Sequence, residues 1–236
     1  MQGVYSFARV NFLIEYRYRY TEELFKAYKV DNKPDATITL AEEDYANETK
    51  NSQAPIEYLE NLAILRKIIV VLLTKHKAVL FHGSAISYNG NGFLFTAPSG
   101  TGKSTHTSNL KAYLGDKFSY VNDDKPILKV ENEGVLVCGS AWNGKHGLGS
   151  NVCVPLKAVC LLKRGEENSI EKISKETAIK TLFEQTVGYK TEQQAIKLLE
   201  IISKIVENVD FYTLYCTKDI SAAKTSFEGM IVNYEN

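Results

Sequence analysis

The sequence has 236 residues, 44% of them hydrophobic and 24% charged, which suits one substantial globular domain with a small appendage. Its 28 basic and 28 acidic residues cancel, and this argues against nucleic-acid and anionic-membrane binders, which need a basic excess. The longest apolar run, 68–73, is far shorter than the roughly 20 residues of a membrane-spanning helix, and no segment resembles a signal peptide, so we expect a cytoplasmic protein.

The first part of the chain carries strand patterns. Apolar and polar residues alternate over 10–20, which predicts a half-buried strand, and ATITL at 36–40 predicts a second one. The polar stretch 44–55 predicts a loop or linker. We therefore expect residues 1–52 to form a small β-rich N-terminal cap, followed by the main domain over 53–236.

The next elements lead to a glycine-rich loop. Apolar spacing predicts a helix over 56–75, and strand-like sequence follows up to NGNG at 89–92. Asn-Gly between two apolar runs is typical of a hairpin turn, because both residues must adopt positive φ. The strand GFLFTA then enters PSGTGKST, and a helix is predicted over 103–114.

The segment APSGTGKS, residues 97–104, has the spacing of a phosphate-binding loop apart from Ala97, where the usual pattern has Gly. Gly100 and Gly102 would let backbone N–H groups turn inward around a triphosphate, and the helix N-terminus would add its positive end. Lys103 would bind the β- and γ-phosphates, and the Ser104 hydroxyl would bind Mg²⁺. The predicted nucleotide-binding residues are Ser99, Gly100, Thr101, Gly102, Lys103, Ser104 and Thr105.

Two adjacent carboxylates, Asp123 and Asp124, follow the apolar strand FSYV twenty residues after Lys103. Beside a triphosphate, one carboxylate can hold the metal and the other can take a proton from an attacking hydroxyl. The alternative is a solvated turn, since Asn-Asp-Asp-Lys-Pro also favours turns.

The remaining elements are a hairpin over 126–138, a buried strand over 156–164, a helix that begins after Ser174, a helix over 193–209, a strand over 211–216 and a closing helix over 219–234. The four cysteines form no CxxC pair, which predicts buried reduced thiols and argues against a zinc site.

Two further features are candidates for the same site. His82 ends the apolar run AVLF, and the hairpin would bring it to one rim of the sheet, although the pattern does not say which. The Gly-rich loop 139–151 holds Trp142, Asn143, Lys145 and His146, a composition typical of a lid or substrate clamp. The alternative for His82 is a purely structural role. The alternative for the loop is a surface loop that Trp142 anchors to the core. The best candidates for a cation that stabilises the charge of a transferring phosphoryl group are Lys145 and Arg164.

The run FHGSAISYNGNGFLFTAPSGTGKST followed by VNDD resembles the catalytic domain of HPr kinase/phosphorylase and, more distantly, ATP-dependent phosphoenolpyruvate carboxykinase. WNGK in the later loop is similar to small HPr-kinase-related proteins of bacteria. The resemblance covers roughly 78–165. The N-terminal part is much shorter than that of HPr kinases, which argues against HPr as the substrate, and the few arginines argue against decarboxylation chemistry.

The resemblance implies an α/β fold with a mixed, curved sheet and a phosphate loop at its edge. The residue patterns add the small N-terminal β-rich cap and a helical C-terminal tail. The resemblance also implies Asp123 as the acid/base, Asp124 with Ser104 as metal ligands, His82 beside the γ-phosphate, and ATP and Mg²⁺ as cofactors.

We therefore expect a kinase, with Asp123, Lys103, His82 and Lys145 as catalytic residues. It would pass the γ-phosphoryl group of ATP to a hydroxyl of a peptide, a protein or a small alcohol, without a nucleic-acid or membrane partner. The alternative is a nucleotide-binding ATPase switch or assembly module without a hydroxyl acceptor. The sequence does not decide between ATP and GTP as the nucleotide. It also does not show whether the protein catalyses phosphorolysis or forms a homo-oligomer.

Overall fold

A computed structural model describes residues 1–50 and 52–234 of the chain. The N-terminal part forms a three-stranded sheet in which a hairpin of the first two strands is extended by a parallel third strand. A small N-terminal sheet is therefore present, but two helices occupy the same region, so it is mixed and not β-rich. Its strands are β1 (Gln2–Phe7), β2 (Val10–Glu15) and β3 (Ala36–Ile38).

The predicted strand over 10–20 ends early, at Glu15, and helix α1 (Arg19–Phe25) follows. The cause is the buried carboxylate of Glu60, which accepts hydrogen bonds from the backbone N–H groups of Arg17 and Tyr18. These bonds hold the donors that would otherwise continue a strand ladder, and they turn the chain toward the helix.

The predicted loop over 44–55 was also wrong in its first part, because helix α2 (Glu42–Thr49) forms there. The Asp44 carboxylate accepts a hydrogen bond from Ala41 N at 2.7 Å, and acidic residues occupy the first turn. Both features stabilise a helix N-terminus. Asn51, inside the predicted loop, lies outside the described residues.

The described main domain is built on a ten-stranded mixed sheet. Its strands are β4 (Ala78–Phe81), β5 (Ser84–Tyr88), β6 (Asn91–Thr96), β7 (Phe118–Asn122), β8 (Ile127–Glu131), β9 (Gly134–Cys138), β10 (Cys153–Arg164), β11 (Ser169–Lys172), β12 (Thr186–Val187) and β13 (Asp210–Cys216). The order is β12-β4-β8-β9-β10-β6-β5-β7, and β13 pairs with both β10 and β11. Strands β6, β10 and β13 are parallel, so their carboxyl ends share one edge.

The Asn-Gly hairpin is confirmed: β5 and β6 are antiparallel, with Tyr88 opposite Asn91. Asn89 and Gly90 adopt φ of 49° and 79°, the left-handed conformations that a two-residue turn requires. Strand-like sequence over 77–88 is split into β4 and β5 by His82 and Gly83, and β11 was not predicted.

Five helices accompany this sheet in the described part of the chain, and the predicted ones appear within a few residues of their expected bounds. The Ser174 cap is confirmed, because its Oγ accepts from Thr177 N at 3.3 Å. The closing helix ends at Gly229 and a 3₁₀ turn follows over Ile231–Tyr234. The helices are α3 (Ile56–Lys75), α4 (Lys103–Leu114), α5 (Lys175–Gln185), α6 (Glu192–Asn208) and α7 (Ser221–Gly229).

Helix α3 joins the two sheets. One hydrophobic cluster combines residues of the N-terminal sheet such as Phe7 and Phe12 with Ile64 and Ile68 of α3 and Leu80 of the large sheet. Burial of these side chains stabilises the packing of the N-terminal sheet on the main domain. Within the described residues, no helix combines the length and apolar character needed to cross a membrane.

The prediction of four reduced thiols was wrong for two of them. Cys138 of β9 and Cys153 of β10 lie opposite each other in the antiparallel pair, with their Cα atoms 4.1 Å apart, and form a disulfide. Cys160 and Cys216 are thiols, and burial raises the pKa of both. Strand β10 pairs with β9 only through its first three residues, which precede the predicted strand over 156–164. The sequence pattern therefore did not indicate this pairing.

Candidate functional site

The glycine-rich loop joins β6 to α4 at the carboxyl edge of the sheet. Ala97 is completely buried in the core beneath the loop, which explains why a small residue stands there. Gly100 and Gly102 have φ of +77° and +121°, conformations that residues with a Cβ rarely adopt. The loop therefore needs glycine at these positions to reach the start of α4 at Lys103.

Lys103 folds back over this loop. Its ammonium group donates a hydrogen bond to Ala97 O at 3.0 Å. Burial lowers its pKa, with a smaller lowering effect from Lys125, while Asp124 and Asp123 oppose the shift. The side chain is thus a desolvated cation beside two carboxylates, placed by the first residue of α4.

Asp123 follows β7 and is only 7% exposed. Strand β7 pairs with β5, which brings Asp123 beside Ser84. The Ser84 hydroxyl donates a hydrogen bond to Asp123 Oδ1 at 2.5 Å, and the Asp123 N–H donates to Leu148 O at 2.9 Å. The carboxylate is therefore held in one orientation by a buried neighbour.

Asp124 lies in a more open position, with its side chain one-third exposed. Lys125 Nζ lies 2.8 Å from Asp124 Oδ1, and His82 Nε2 lies 3.7 Å from the same oxygen. Asn122 Oδ1 accepts from the N–H groups of Asp124 and Lys125, so the chain does turn here. The turn aims Asp123 and Asp124 into a common cavity rather than leaving both in solvent.

His82 lies between β4 and β5, next to the carboxyl end of β6, because Thr96 Oγ1 donates to His82 O at 2.9 Å. This answers which rim of the sheet it occupies. Gln185, at the end of α5, contacts it twice: its backbone O accepts from His82 N at 2.9 Å, and its side-chain Oε1 lies 3.1 Å from His82 Nδ1. Burial lowers the pKa of His82, as do Lys103 and Lys125.

The loop over 139–152 divides into an anchored part and an exposed part. Trp142 packs between Phe7 and Phe25, with ring centroids 5.4 Å from each, and its Nε1 donates to Asn61 Oδ1 at 2.7 Å. Trp142 therefore anchors the loop to the hydrophobic cluster of the N-terminal sheet and does not line the cavity beside Asp123.

The rest of this loop turns toward the aspartates. Asn143 Oδ1 accepts a hydrogen bond from Asn122 Nδ2 at 2.6 Å, which fixes the loop next to Asp124. A 3₁₀ turn over Gly144–His146 follows. Lys145 and His146 are exposed and line the same cavity as the glycine-rich loop.

These elements enclose one cavity of about 620 Å³. It brings together most of the predicted site residues, which lie far apart in the sequence. Three of the predicted site residues do not line this cavity: Thr101, Trp142 and Asn143. Its lining consists of His82, Ser99, Gly100, Gly102, Lys103, Ser104, Thr105, Asp123, Asp124, Gly144, Lys145 and His146.

Two residues that contact this site were missed by the sequence analysis. Ser84 follows His82 by two positions and could have been found from the strand pairing that places it opposite β7. Gln185 had no sequence signal, since its contact with His82 spans 103 positions. Arg164 was expected near the transferring group, but its guanidinium donates to Gly100 O at 3.0 Å from the other side of the loop.

The arrangement combines anion-binding and proton-accepting groups. Backbone N–H groups at the start of α4 and the Lys103 ammonium can bind an anion, and Asp123 and Asp124 can bind a cation or a proton. Among the described residues, no group of three or more His, Cys, Asp or Glu side chains could hold a metal ion by itself. A metal here would need a further ligand, such as a bound phosphate.

Comparisons with known proteins give a family match and distant likenesses to solved structures. The chain is similar in structure to the HPr(Ser) kinase/phosphatase from Coxiella burnetii, with a TM-score of 0.41 and 13% sequence identity over 66% of this chain and 99% of that one. A search of curated proteins found no match. The family model described as "SynChlorMet cassette protein ScmC" matches residues 47–220. Since that match spans most of the sequence, this chain belongs to the ScmC family.

Proposed function

We propose that the protein is a phosphotransferase that uses ATP and Mg²⁺ and passes the γ-phosphoryl group to a hydroxyl group of a peptide, a protein or a small alcohol. The observation that carries this proposal is the single cavity in which the glycine-rich loop and Lys103 face the carboxylates of Asp123 and Asp124. The anion-binding groups would hold a triphosphate, and the carboxylates in the same cavity would support its transfer.

The glycine-rich loop would bind the phosphates. The left-handed conformations of Gly100 and Gly102 turn the loop around the start of α4, where N–H groups lack partners within the helix. Lys103 would leave Ala97 O for the β- and γ-phosphate oxygens, because a charge-assisted hydrogen bond to phosphate is stronger than one to a carbonyl.

The oxygen donors near this loop suit Mg²⁺. Ser104 is exposed at the start of α4 and Asp124 faces the same cavity, and a hydroxyl with a carboxylate, completed by phosphate oxygens and water, is the donor set that Mg²⁺ prefers. Bound there, Mg²⁺ would neutralise charge on the phosphate oxygens.

Asp123 would act as the general base. As the acceptor oxygen attacks the γ-phosphorus, its proton passes to the Asp123 carboxylate, the new P–O bond forms, and the bond from the γ-phosphorus to the bridging oxygen breaks to release ADP. The hydrogen bond from Ser84 occupies Oδ1 and so fixes the direction in which Oδ2 is presented to the acceptor.

The other cavity residues would stabilise the charge of the transferring group. Lys103 and Lys145 both line the cavity, so their ammonium groups would approach the phosphoryl oxygens from two different segments of the chain. Burial lowers the pKa of His82, as do Lys103 and Lys125, and its ring would contact the γ-phosphate.

Phosphoryl transfer from radiolabelled ATP tests the proposal. Purified protein is incubated with Mg²⁺-ATP and candidate acceptors: seryl peptides, small alcohols and the other proteins encoded by the cassette that the family description names. We expect a labelled acceptor, and we expect Asp123→Asn to reduce its formation by about 10²-fold or more. The matched control is Asp116→Asn, since Asp116 is an exposed carboxylate away from the cavity.

Each outcome has a meaning for the proposal. Equal transfer by wild type and Asp123→Asn would exclude the general-base role. Release of inorganic phosphate at the same rate with and without every acceptor would instead favour a nucleotide-hydrolysing switch or assembly module. Absence of ATP binding would overturn the proposal as a whole.

A further inference from the structure

A second cleft, of about 590 Å³, lies on the other side of the glycine-rich loop. Gly100, Gly102 and Thr105 line both this cleft and the cavity that holds the aspartates. The two spaces are therefore adjacent, and the loop with the first turn of α4 forms the wall between them.

The sheet order explains which space lies on which side. Strands β10 and β13 lie on one side of β6, and β5 and β7 lie on the other. The second cleft lies over the carboxyl ends of β10 and β13, where Arg164 and Thr217 line it, whereas Asp123 follows β7. A triphosphate seated on the loop with its γ-phosphate toward Asp123 therefore has its α-phosphate directed toward the second cleft.

The side chains of this cleft differ from those of the aspartate cavity. None of the residues that line it carries a carboxylate, and two carry a positive charge, Arg164 and Lys218. Arginine stacks on planar rings and binds phosphate, while the hydroxyl groups of Thr105 and Thr217 can bond to a sugar. The volume lies in the range of small-ligand sites.

A hydrogen bond connects two of the elements that line the cleft. Asn109, one turn along α4 from Thr105, donates from Nδ2 to Lys218 O at 3.2 Å. This bond ties α4 to the segment after β13, and Asn109 and Lys218 both line the cleft. Arg164 is held by its hydrogen bond to Gly100 O at 3.0 Å.

We propose that this cleft binds the nucleoside half of the triphosphate, with Arg164 against the base and the α-phosphate side, and Asn109, Thr217 and Lys218 around the base and ribose. The inference rests on the proposed function, because it takes the direction of the triphosphate from the transfer of its γ-phosphoryl group to an acceptor at Asp123.

Calorimetric titration with two ligands separates this inference from the proposed function. ATP would occupy the loop and the cleft, whereas inorganic tripolyphosphate would occupy the loop alone. We expect Asn109→Trp, whose indole fills the cleft, to weaken ATP binding by about tenfold or more, equivalent to about 1.4 kcal/mol, and to leave tripolyphosphate affinity within about twofold. Lys218→Trp is the second variant, since Lys218 is exposed and tolerates a large side chain.

Ser108→Trp provides the control, because Ser108 is exposed on the same helix and lines neither space. Retained tripolyphosphate binding shows that a variant is folded. Unchanged ATP affinity in both cleft variants would overturn the nucleoside assignment while leaving the phosphate loop intact. Failure of the wild-type protein to bind either ligand would overturn the proposed function itself.

Discussion

The Ser84 hydroxyl donates a hydrogen bond to Asp123 Oδ1 at 2.5 Å, and both side chains are buried. Ser84 Oγ also lies 3.3 Å from Thr107 Oγ1 on α4. One serine therefore connects the strand that follows His82, the carboxylate that follows β7 and the helix that follows the glycine-rich loop. This contact sets the orientation of the Asp123 carboxylate.

Replacing Ser84 with Ala should lower kcat for phosphoryl transfer by about ten- to a hundredfold, which corresponds to the loss of a hydrogen bond to a charged group. KM for ATP should change little, because Lys103 and the loop are not altered. Steady-state kinetics with a labelled acceptor measures both constants.

Ser87→Ala is the matched control, since Ser87 is a buried serine of the same strand that does not contact Asp123. Rescue of kcat by Ser84→Thr, which restores a hydroxyl, would support the positioning role. A parallel loss of kcat in the Ser84 and Ser87 variants would instead indicate general damage to β5.

The disulfide between Cys138 and Cys153 gives a second prediction. It closes a loop with a sequence separation of 15, and such a crosslink stabilises a fold by about 3 kcal/mol. We expect Cys138→Ser with Cys153→Ser to lower the free energy of unfolding by about this amount in urea titrations. The loop that carries Lys145 is also attached by the hydrogen bond between Asn143 and Asn122. ATP binding should therefore persist when the disulfide is removed.

Alkylation followed by mass spectrometry checks the bond directly. Unfolded protein without reductant should be modified at Cys160 and Cys216 only, and reductant should add the other two cysteines. Modification of all four before reduction would contradict the disulfide and restore the reduced-thiol prediction.

Local sequence signals predicted the parts of the fold that depend on short-range chemistry. The Asn89-Gly90 turn, the Ser174 cap and the strand, glycine-rich loop and helix order all depend on neighbours within a few positions, so their patterns were sufficient. The convergence of His82, Lys103 and Asp123 on one cavity follows from that order together with the strand pairing.

The errors arose where a distant residue decides the local conformation. Glu60 ends the strand at Glu15 through bonds to backbone groups more than 40 positions away, and no pattern in 10–20 contains that information. Trp142 depends on distant residues in the same way, because its partners Phe7 and Asn61 belong to other elements. The sequence left open whether Trp142 belongs to a substrate clamp or anchors the loop to the core, and these contacts favour the anchor.

Stability should depend on pH through His106. This side chain is buried against the Phe95 ring and Ser226 Oγ, and burial lowers its pKa from 6.5 to about 4. In the unfolded chain the imidazole takes up a proton below pH 6.5, whereas in the folded chain it stays neutral until about pH 4. Unfolding thus becomes more favourable as pH falls through this window, by up to about 3 kcal/mol.

Urea titrations at pH 7 and pH 5 measure this dependence. His106→Gln keeps a polar group near Ser226 and removes the titration, so its unfolding free energy should change less between the two pH values than that of wild type. His146→Gln serves as the control, because His146 is exposed. An identical loss of stability in wild type and His106→Gln would show that other groups cause the dependence.

The anchoring role of Trp142 can be separated into a hydrogen bond and a packing contribution. Trp142→Phe keeps an aromatic ring beside Phe7 and Phe25 but removes the donor to Asn61 Oδ1, and should lower the free energy of unfolding by about 1–3 kcal/mol, because the nearby amide loses its partner. Trp142→Ala also leaves a cavity and should cost about 3–5 kcal/mol. Circular dichroism during urea unfolding measures both losses of stability. Tyr58→Ala is an exposed aromatic control, expected to change the free energy of unfolding by less than about 0.5 kcal/mol.

The affinity for ATP shows whether Trp142 has a role beyond anchoring the loop. If it only anchors the loop, Trp142→Phe should keep the affinity for ATP within about twofold. A large loss of ATP affinity in a stable Trp142→Phe protein would instead support the substrate-binding role that the sequence context suggested.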